Sequence, residues 1–210
     1  MIIAVDGPAA SGKGTIARAL AAHYNLPHMD TGLLYRAVAH TLVHGHGEAE
    51  NEQDALAACS FDDALLADPA LKGEEMGRVA SIVSAHPLVR SALMKRQRDF
   101  ARRKRGAVLD GRDIGTVIAP NADAKLFITA TPRTRALRRH AEMQKSGSQM
   151  SFDHVLTDIR ARDRRDAGRV TAPMAQAEDA DLLDTSFLSI DAAVQRAIAL
   201  VDARIGAADR

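Results

Sequence analysis

The chain has no tryptophan, one cysteine, and few aromatic residues of any kind, 3% in all. The lone Cys59 excludes an intrachain disulfide and a cysteine-rich metal site, and reads as a small filler beside a helix. So few rings exclude a stacking platform for single-stranded nucleic acid. They leave the core to Ala, Leu, Val and Ile, which favours helices packed closely on a parallel sheet. Neither sign of charge is in excess. A formal net charge of +1 gives no general attraction to DNA or RNA, so no nucleic-acid partner is expected. Long apolar runs are missing too. The first, Ile2-Ile-Ala-Val5, stops at Asp6. No signal peptide and no membrane span are expected, and a cytoplasmic location is. A length of 210 residues with 46% hydrophobic content suits one domain carrying inserted lobes.

Against these absences stands a glycine-rich run. Gly7-Pro8-Ala9-Ala10-Ser11-Gly12-Lys13-Gly14-Thr15 follows the first apolar run directly. Gly7, Gly12 and Lys13 fit the spacing G-x-x-x-x-G-K of a phosphate-binding loop. The ending departs from the usual pattern, because Gly14 precedes the hydroxyl of Thr15. A strand before the motif and a helical pattern after it, Thr15 to His23, are the context such a loop requires. The glycines let backbone N–H groups close on phosphate oxygens at a helix N-terminus. Lys13 would reach the β- and γ-phosphates, and Thr15 could support the water shell of Mg²⁺.

Short apolar runs alternate with helical patterns along the rest of the chain. Strands are predicted at 2–6, 107–110, 124–130 and 180–184, with a short fifth at 27–30. Pro87 opens a helix predicted over 88–104. Thr131 before Pro132, Ser151 and Ser189 read as N-caps, the latter two for helices over 152–164 and 190–205. Strands separated by helices argue a parallel α/β sheet of about five strands, covered on both faces. Two stretches break the rhythm. Residues 45–77 read as a small inserted lobe, and 145–150 as a flexible link between arginine-rich helices. The expected division is a core of 1–44, 78–144 and 170–210, an insert of 45–77 and a lid of 145–169.

Arginine and aspartate recur where loops should be: Asp110-Gly-Arg112-Asp113, Arg138-Arg139, and Arg162-Asp-Arg-Arg165-Asp166-Ala-Gly-Arg169. A merely solvated helix face would carry Lys and Glu at i, i+4. Arginine forks interleaved with Asp suit bidentate recognition of phosphates. Asp110 ends an apolar strand. It reads equally as an aspartate orienting Mg²⁺-bound water and as a turn or N-cap aspartate. His44 and His46 read as an exposed turn, and Arg102–Arg105 as cations at a helix C-terminus.

Taken together these runs resemble the cytidylate kinase family of nucleoside monophosphate kinases, over nearly the whole chain. The resemblance rests on Gly7–Thr15, Asp30-Thr-Gly-Leu-Leu-Tyr35-Arg36, Ala80-Ser81 to Arg90, Arg96-Gln-Arg98, Asp110-Gly-Arg-Asp-Ile-Gly-Thr116, Arg138-Arg139, Arg162 to Pro173, Asp179-Ala and Asp184-Thr-Ser. Gly-Arg-Asp-Ile-Gly-Thr is its most specific part. The resemblance implies a P-loop kinase fold and phosphoryl transfer from ATP, with Mg²⁺, to CMP or dCMP in a monomer. It places ATP on residues 7–15, with Arg138. It places CMP on Thr31, Tyr35, Arg36, Ser81, Arg90, Arg112 and Asp113. Asp113, Ser81 and Arg90 read the cytosine edge, Arg162 and Asp166 approach the pentose, and Arg169 the phosphates. Lys13, Arg162 and Arg165 would be catalytic. Thr31 stands where many relatives have Ser, and the insert is shorter and lacks their alternating apolar strands. Two other readings share the loop: a small-molecule kinase of the shikimate or gluconate type, and a nucleotide-gated P-loop binding protein.

Overall fold

The structure, a computed structural model, describes residues 1–145 and 147–208. Ser146, in the link predicted to be flexible, lies outside the described residues. Five strands form one parallel sheet: β1 (Ile2–Asp6), β2 (His28–Asp30), β3 (Ala107–Gly111), β4 (Ala124–Thr129) and β5 (Asp181–Asp184), in the order β2-β3-β1-β4-β5. All five predicted strands are present, with ends shifted by at most a residue. The helices are α1 (Lys13–His23), α2 (Thr31–His44), α3 (Glu52–Ala57), α4 (Glu74–Val83), α5 (Pro87–Ala101), α6 (Pro132–Lys145), α7 (Phe152–Ala167) and α8 (Ile190–Ala208).

The pleat explains the layering. Ile3 and Val5 of β1 join Leu126 and Ile128 of β4 against Ile16 and Leu20 of α1 and Val201 of α8. Ala4 faces the other way, with Leu109, Ile114 and Ile118. Each of the larger side chains is essentially fully buried, contributing roughly 1.5–3 kcal/mol. Few rings take part, so the helices lie close. The predicted caps form: Ser151 accepts from the backbone N–H of His154 at 3.3 Å, and Ser189 from that of Ala192 at 3.2 Å. The helix predicted to reach Lys104 ends at Ala101 instead, with Arg102 as its C-cap. Arg103 turns back to stack on the Phe100 ring.

Residues 45–77 form no strand. They hold α3, two short 3₁₀ turns and the start of α4. Ala55, Met76, Val79 and Val83 pack with Leu34, Val38 and Leu42 of α2 and with Val89 and Leu93 of α5. Helices α6 and α7 form a hairpin around Ala136, Met143, Val155 and Ile159.

All strands point the same way. Paired register puts Asp6 opposite Gly111, Asp30 opposite Asp110, and Thr129 opposite Asp184. The carboxyl edge of the sheet is therefore rich in aspartate, and in open α/β sheets that edge is where ligands sit.

Candidate active site

The glycine-rich run forms a turn between β1 and α1. Gly7 has φ +143°, and a Cβ there would collide with the Ile128 carbonyl. Gly12, at φ +92°, is the N-cap of α1 and offers no side-chain cap. The first N–H groups of the helix are thus left for a ligand. Thr15 lies exposed in the first turn. Gly14 has only ordinary neighbours, Arg18 and the Asp110 carboxylate, so the protein alone does not demand glycine there.

A cavity of about 260 Å³ opens beside this turn. Ala9, Ala10 and Lys13 form its floor, and Arg36, Arg112, Arg162 and Arg165 are among its walls. Burial pulls the Lys13 ammonium down to about 8, with Arg112 pushing the same way, while Asp110 and Asp30 oppose the shift. Burial likewise lowers Arg162 from its usual range, with Arg112 adding to the effect. A guanidinium so crowded by like charge is set to receive an anion.

Asp166 of α7 is the hub beside that cavity. It is buried, and its carboxylate accepts from Arg112 Nε at 2.9 Å, Arg169 Nη2 at 2.6 Å and Ser81 Oγ at 3.1 Å. Burial alone would raise this carboxyl, but the arginines hold it at about 2. Arg165 Nε donates to Ser81 Oγ at 3.3 Å, and Arg169 Nη2 to Ser84 Oγ at 2.7 Å. Alongside, Arg90 of α5 pairs with Asp113 and lies 5.9 Å from the Tyr35 ring centroid. Burial raises the Asp113 carboxyl, and Arg90 and Arg169 work against it.

The structure thus gathers Ser81, Arg90, Arg112, Asp113, Arg162, Arg165, Asp166 and Arg169 in one cleft. Ser81, Arg90, Asp113, Asp166 and Arg169 do not line the open cavity; their polar atoms bond one another. The satisfaction is incomplete. Nε of Arg90, Arg162 and Arg169 are all buried without a hydrogen-bond partner. Three unmet cationic donors in one cleft are costly unless something anionic or carbonyl-rich fills the site.

Other predicted residues fall at the margins. The Thr31 hydroxyl donates to the Asp110 carbonyl at 2.8 Å, which leaves its acceptor lone pairs for a ligand. Arg36 Nη1 donates to the carbonyls of Leu71 at 2.6 Å and Gly73 at 2.9 Å, fastening the inserted segment to α2. Arg138 donates to the carbonyls of Ser11 at 3.3 Å and Thr185 at 2.6 Å, behind the loop. Asp110 sits within β3 and caps no helix; its Oδ1 lies 2.7 Å from Nε2 of His28. Asp30 and Asp110 lie close enough for Asp110 to help raise the Asp30 carboxyl, after burial. These are hard oxygen donors beside Lys13, a donor set that fits the water shell of Mg²⁺. Cys59 is half-buried and its thiol is pushed up to about 11, as a filler's would be.

Three side chains that shape the site escape a reading by sequence. Asp6 accepts from the backbone N–H groups of Ile114 and Gly115, both at 2.8 Å, and so fixes the turn that presents Arg112 and Asp113. Its burial pushes the carboxyl up to about 7. Arg135 grips Asp163 of α7 through two bonds of 3.0 and 2.6 Å and donates to the Ala9 carbonyl at 3.3 Å, joining loop to hairpin. His28 is the partner of Asp110.

The family model described as cytidylate kinase matches residues 3–203. A cytidylate kinase of Xanthobacter autotrophicus is 54% identical, over 97% of this chain and 98% of that protein. One from Rhodopseudomonas palustris is 52% identical, over 97% and 96%. One from Methylocella silvestris is 51% identical, over 96% and 94%. A solved structure of an uncharacterized protein from Eubacterium ventriosum shares the fold with a TM-score of 0.56 at 18% identity, covering 96% of this chain and 98% of that one. A loop that offers helix N–H groups to phosphate, an arginine-rich cleft beside it and a match from end to end agree: the chain belongs to the cytidylate kinase family.

Proposed function

We propose that this chain transfers the γ-phosphoryl group of ATP to CMP, and to dCMP, giving ADP and the nucleoside diphosphate. The observation that carries the reading is the set of buried guanidinium Nε atoms of Arg90, Arg162 and Arg169 that make no hydrogen bond, next to a phosphate-binding loop. One loop holds one set of phosphates, and the arginines provide for a second. In this reading ATP occupies residues 7–15 with Arg138 at its edge. CMP occupies the cleft of Thr31, Tyr35, Arg36, Ser81, Arg90, Arg112, Asp113, Arg162, Asp166 and Arg169. Residues 45–77 act as the acceptor-side insert and 145–169 as the lid.

The acceptor is a phosphate oxygen already ionised at neutral pH, so no general base is needed. Lys13, Arg162 and Arg165 neutralise the charge spread over the transferring group. An arginine in such a place is worth roughly 10³–10⁵ in rate. Thr15, Asp30 and Asp110 would hold the water shell of Mg²⁺ bound with ATP, and the ion would neutralise phosphate charge. Closure of α7 over the cleft excludes water, which would otherwise compete as acceptor. Asp113, held by Arg90, accepts from the cytosine amino group and faces the uracil carbonyl unfavourably. A monomer is part of this reading. A cytoplasmic location belongs to the same reading.

An acceptor panel of CMP, dCMP, UMP, AMP and shikimate, with ADP release as readout, tests the proposal. CMP and dCMP should turn over fastest. Preference for AMP or shikimate would overturn it.

A further inference from the structure

A second cluster lies where α7 meets α4. Glu74 opens α4, and His154 and Asp158 stand one turn apart on α7. One nitrogen or oxygen from each lies within 4.8 Å of the others. The i, i+4 spacing puts the α7 pair on one helix face, and that face meets the first turn of α4.

The charge pattern here differs from the rest of the cleft. Asp113 is met by Arg90, Asp163 by Arg135, and Asp166 by Arg112 and Arg169. Among the described residues, Glu74 and Asp158 have no lysine or arginine partner. The imidazole of His154 stands 3.5 Å from Asp158, and Arg36, Arg78 and Arg162 line the same cavity as the two carboxylates without pairing with them. Two carboxylates brought together from separate helices repel unless they share a cation.

We propose that Glu74, His154 and Asp158 form a Zn²⁺ site that ties α7 to α4. One imidazole and two carboxylates make a three-ligand set that Zn²⁺ accepts, with water in the fourth position, whereas Mg²⁺ prefers oxygen alone. His154 and Asp158 reach solvent and Glu74 is partly buried, so an ion enters without unfolding and water completes its shell. The bound ion joins the same two helices that the Ser81–Asp166 hydrogen bond joins, and holds the cleft shut. Glu74 and Asp158 also line the cavity beside Lys13, so the metal is tested without nucleotide.

The test uses the nucleotide-free full chain titrated with Co²⁺ at neutral pH. Visible absorption reports a low-coordinate Co²⁺ centre, and Zn²⁺ is added to displace it. One saturable Co²⁺ per chain is expected, bound at least roughly tenfold more weakly in both His154→Ala and Glu74→Gln. Zn²⁺ should also slow amide exchange in 74–83 and 152–167 of the unmutated chain, but in neither variant. Unaltered affinity in His154→Ala would place the metal elsewhere and overturn the proposal. Loss in His154→Ala with none in Glu74→Gln would reduce it to an α7 site and overturn the tie. Absence of saturable binding would overturn it entirely.

Discussion

The loop side and the arginine side of the cleft are built on opposite principles. The loop is nine consecutive residues that offer backbone N–H donors, shaped by Gly7 and Gly12, with the side chains of Lys13 and Thr15 at its end. The arginine side is side chain throughout, drawn from α4, α5, the end of β3 and α7. The loop borders an open cavity. Its neighbour is folded in on itself around Asp166. A backbone site is set once the chain turns, whereas a side-chain site has partners to exchange, and so can respond to what enters.

That contrast can be broken from either side. The largest effect should come from Lys13→Ala. The variant should fold, since Lys13 contributes charge and not packing, while kcat falls at least roughly a hundredfold. Turnover retained in a folded variant would remove the loop from the chemistry. Asp166 comes next. A carboxyl held at about 2 in the folded chain and near 3.8 unfolded contributes stability above pH 4 that is lost as pH falls through 2. The difference amounts to about 2 kcal/mol. Denaturant midpoints of the unmutated chain and Asp166→Asn should therefore converge as pH drops from 4 to 2. Parallel curves would show that Asp166 is not the electrostatic hub. Asp6 has the opposite sign: its raised carboxyl costs stability as pH climbs from 4 to 7. The smallest effect sharpens the comparison rather than breaking it. Asp113→Ala should lower the ratio of kcat/KM for CMP over UMP by at least about tenfold, leaving KM for ATP unchanged. An unchanged ratio would move base reading away from the Arg90–Asp113 pair.

The same contrast governs how much could be read beforehand. Ile3, Val5, Leu126 and Ile128 lie in short apolar runs, and runs between helical patterns were enough for all five strands. Ser151 and Ser189 declare their helices because a cap acts within three residues. The loop was legible for the same reason. Residues 45–77 lacked alternating apolar positions, and they form helices and turns. The arginine side was visible as composition, but its partners became specific only through family resemblance. Asp166 meets Ser81 across 85 positions, and Asp6 meets Ile114 across 108; no local periodicity marks either. Asp6 carried a faint signal, an acid closing a fully apolar strand. Arg135 carried none, since one arginine in a basic helix reads like its neighbours until Asp163 is found opposite.

Tyr35 lies buried beneath Arg90, while Tyr24, the only other tyrosine, donates to Asp202 at 2.6 Å on the far side of the sheet. With no tryptophan present, the tyrosine emission of this molecule comes from those two rings. One is a fixed reference, and the other is stacked against the guanidinium that would meet the acceptor base. The scarcity of aromatics thus leaves the protein with its own optical gauge of what occupies the cleft.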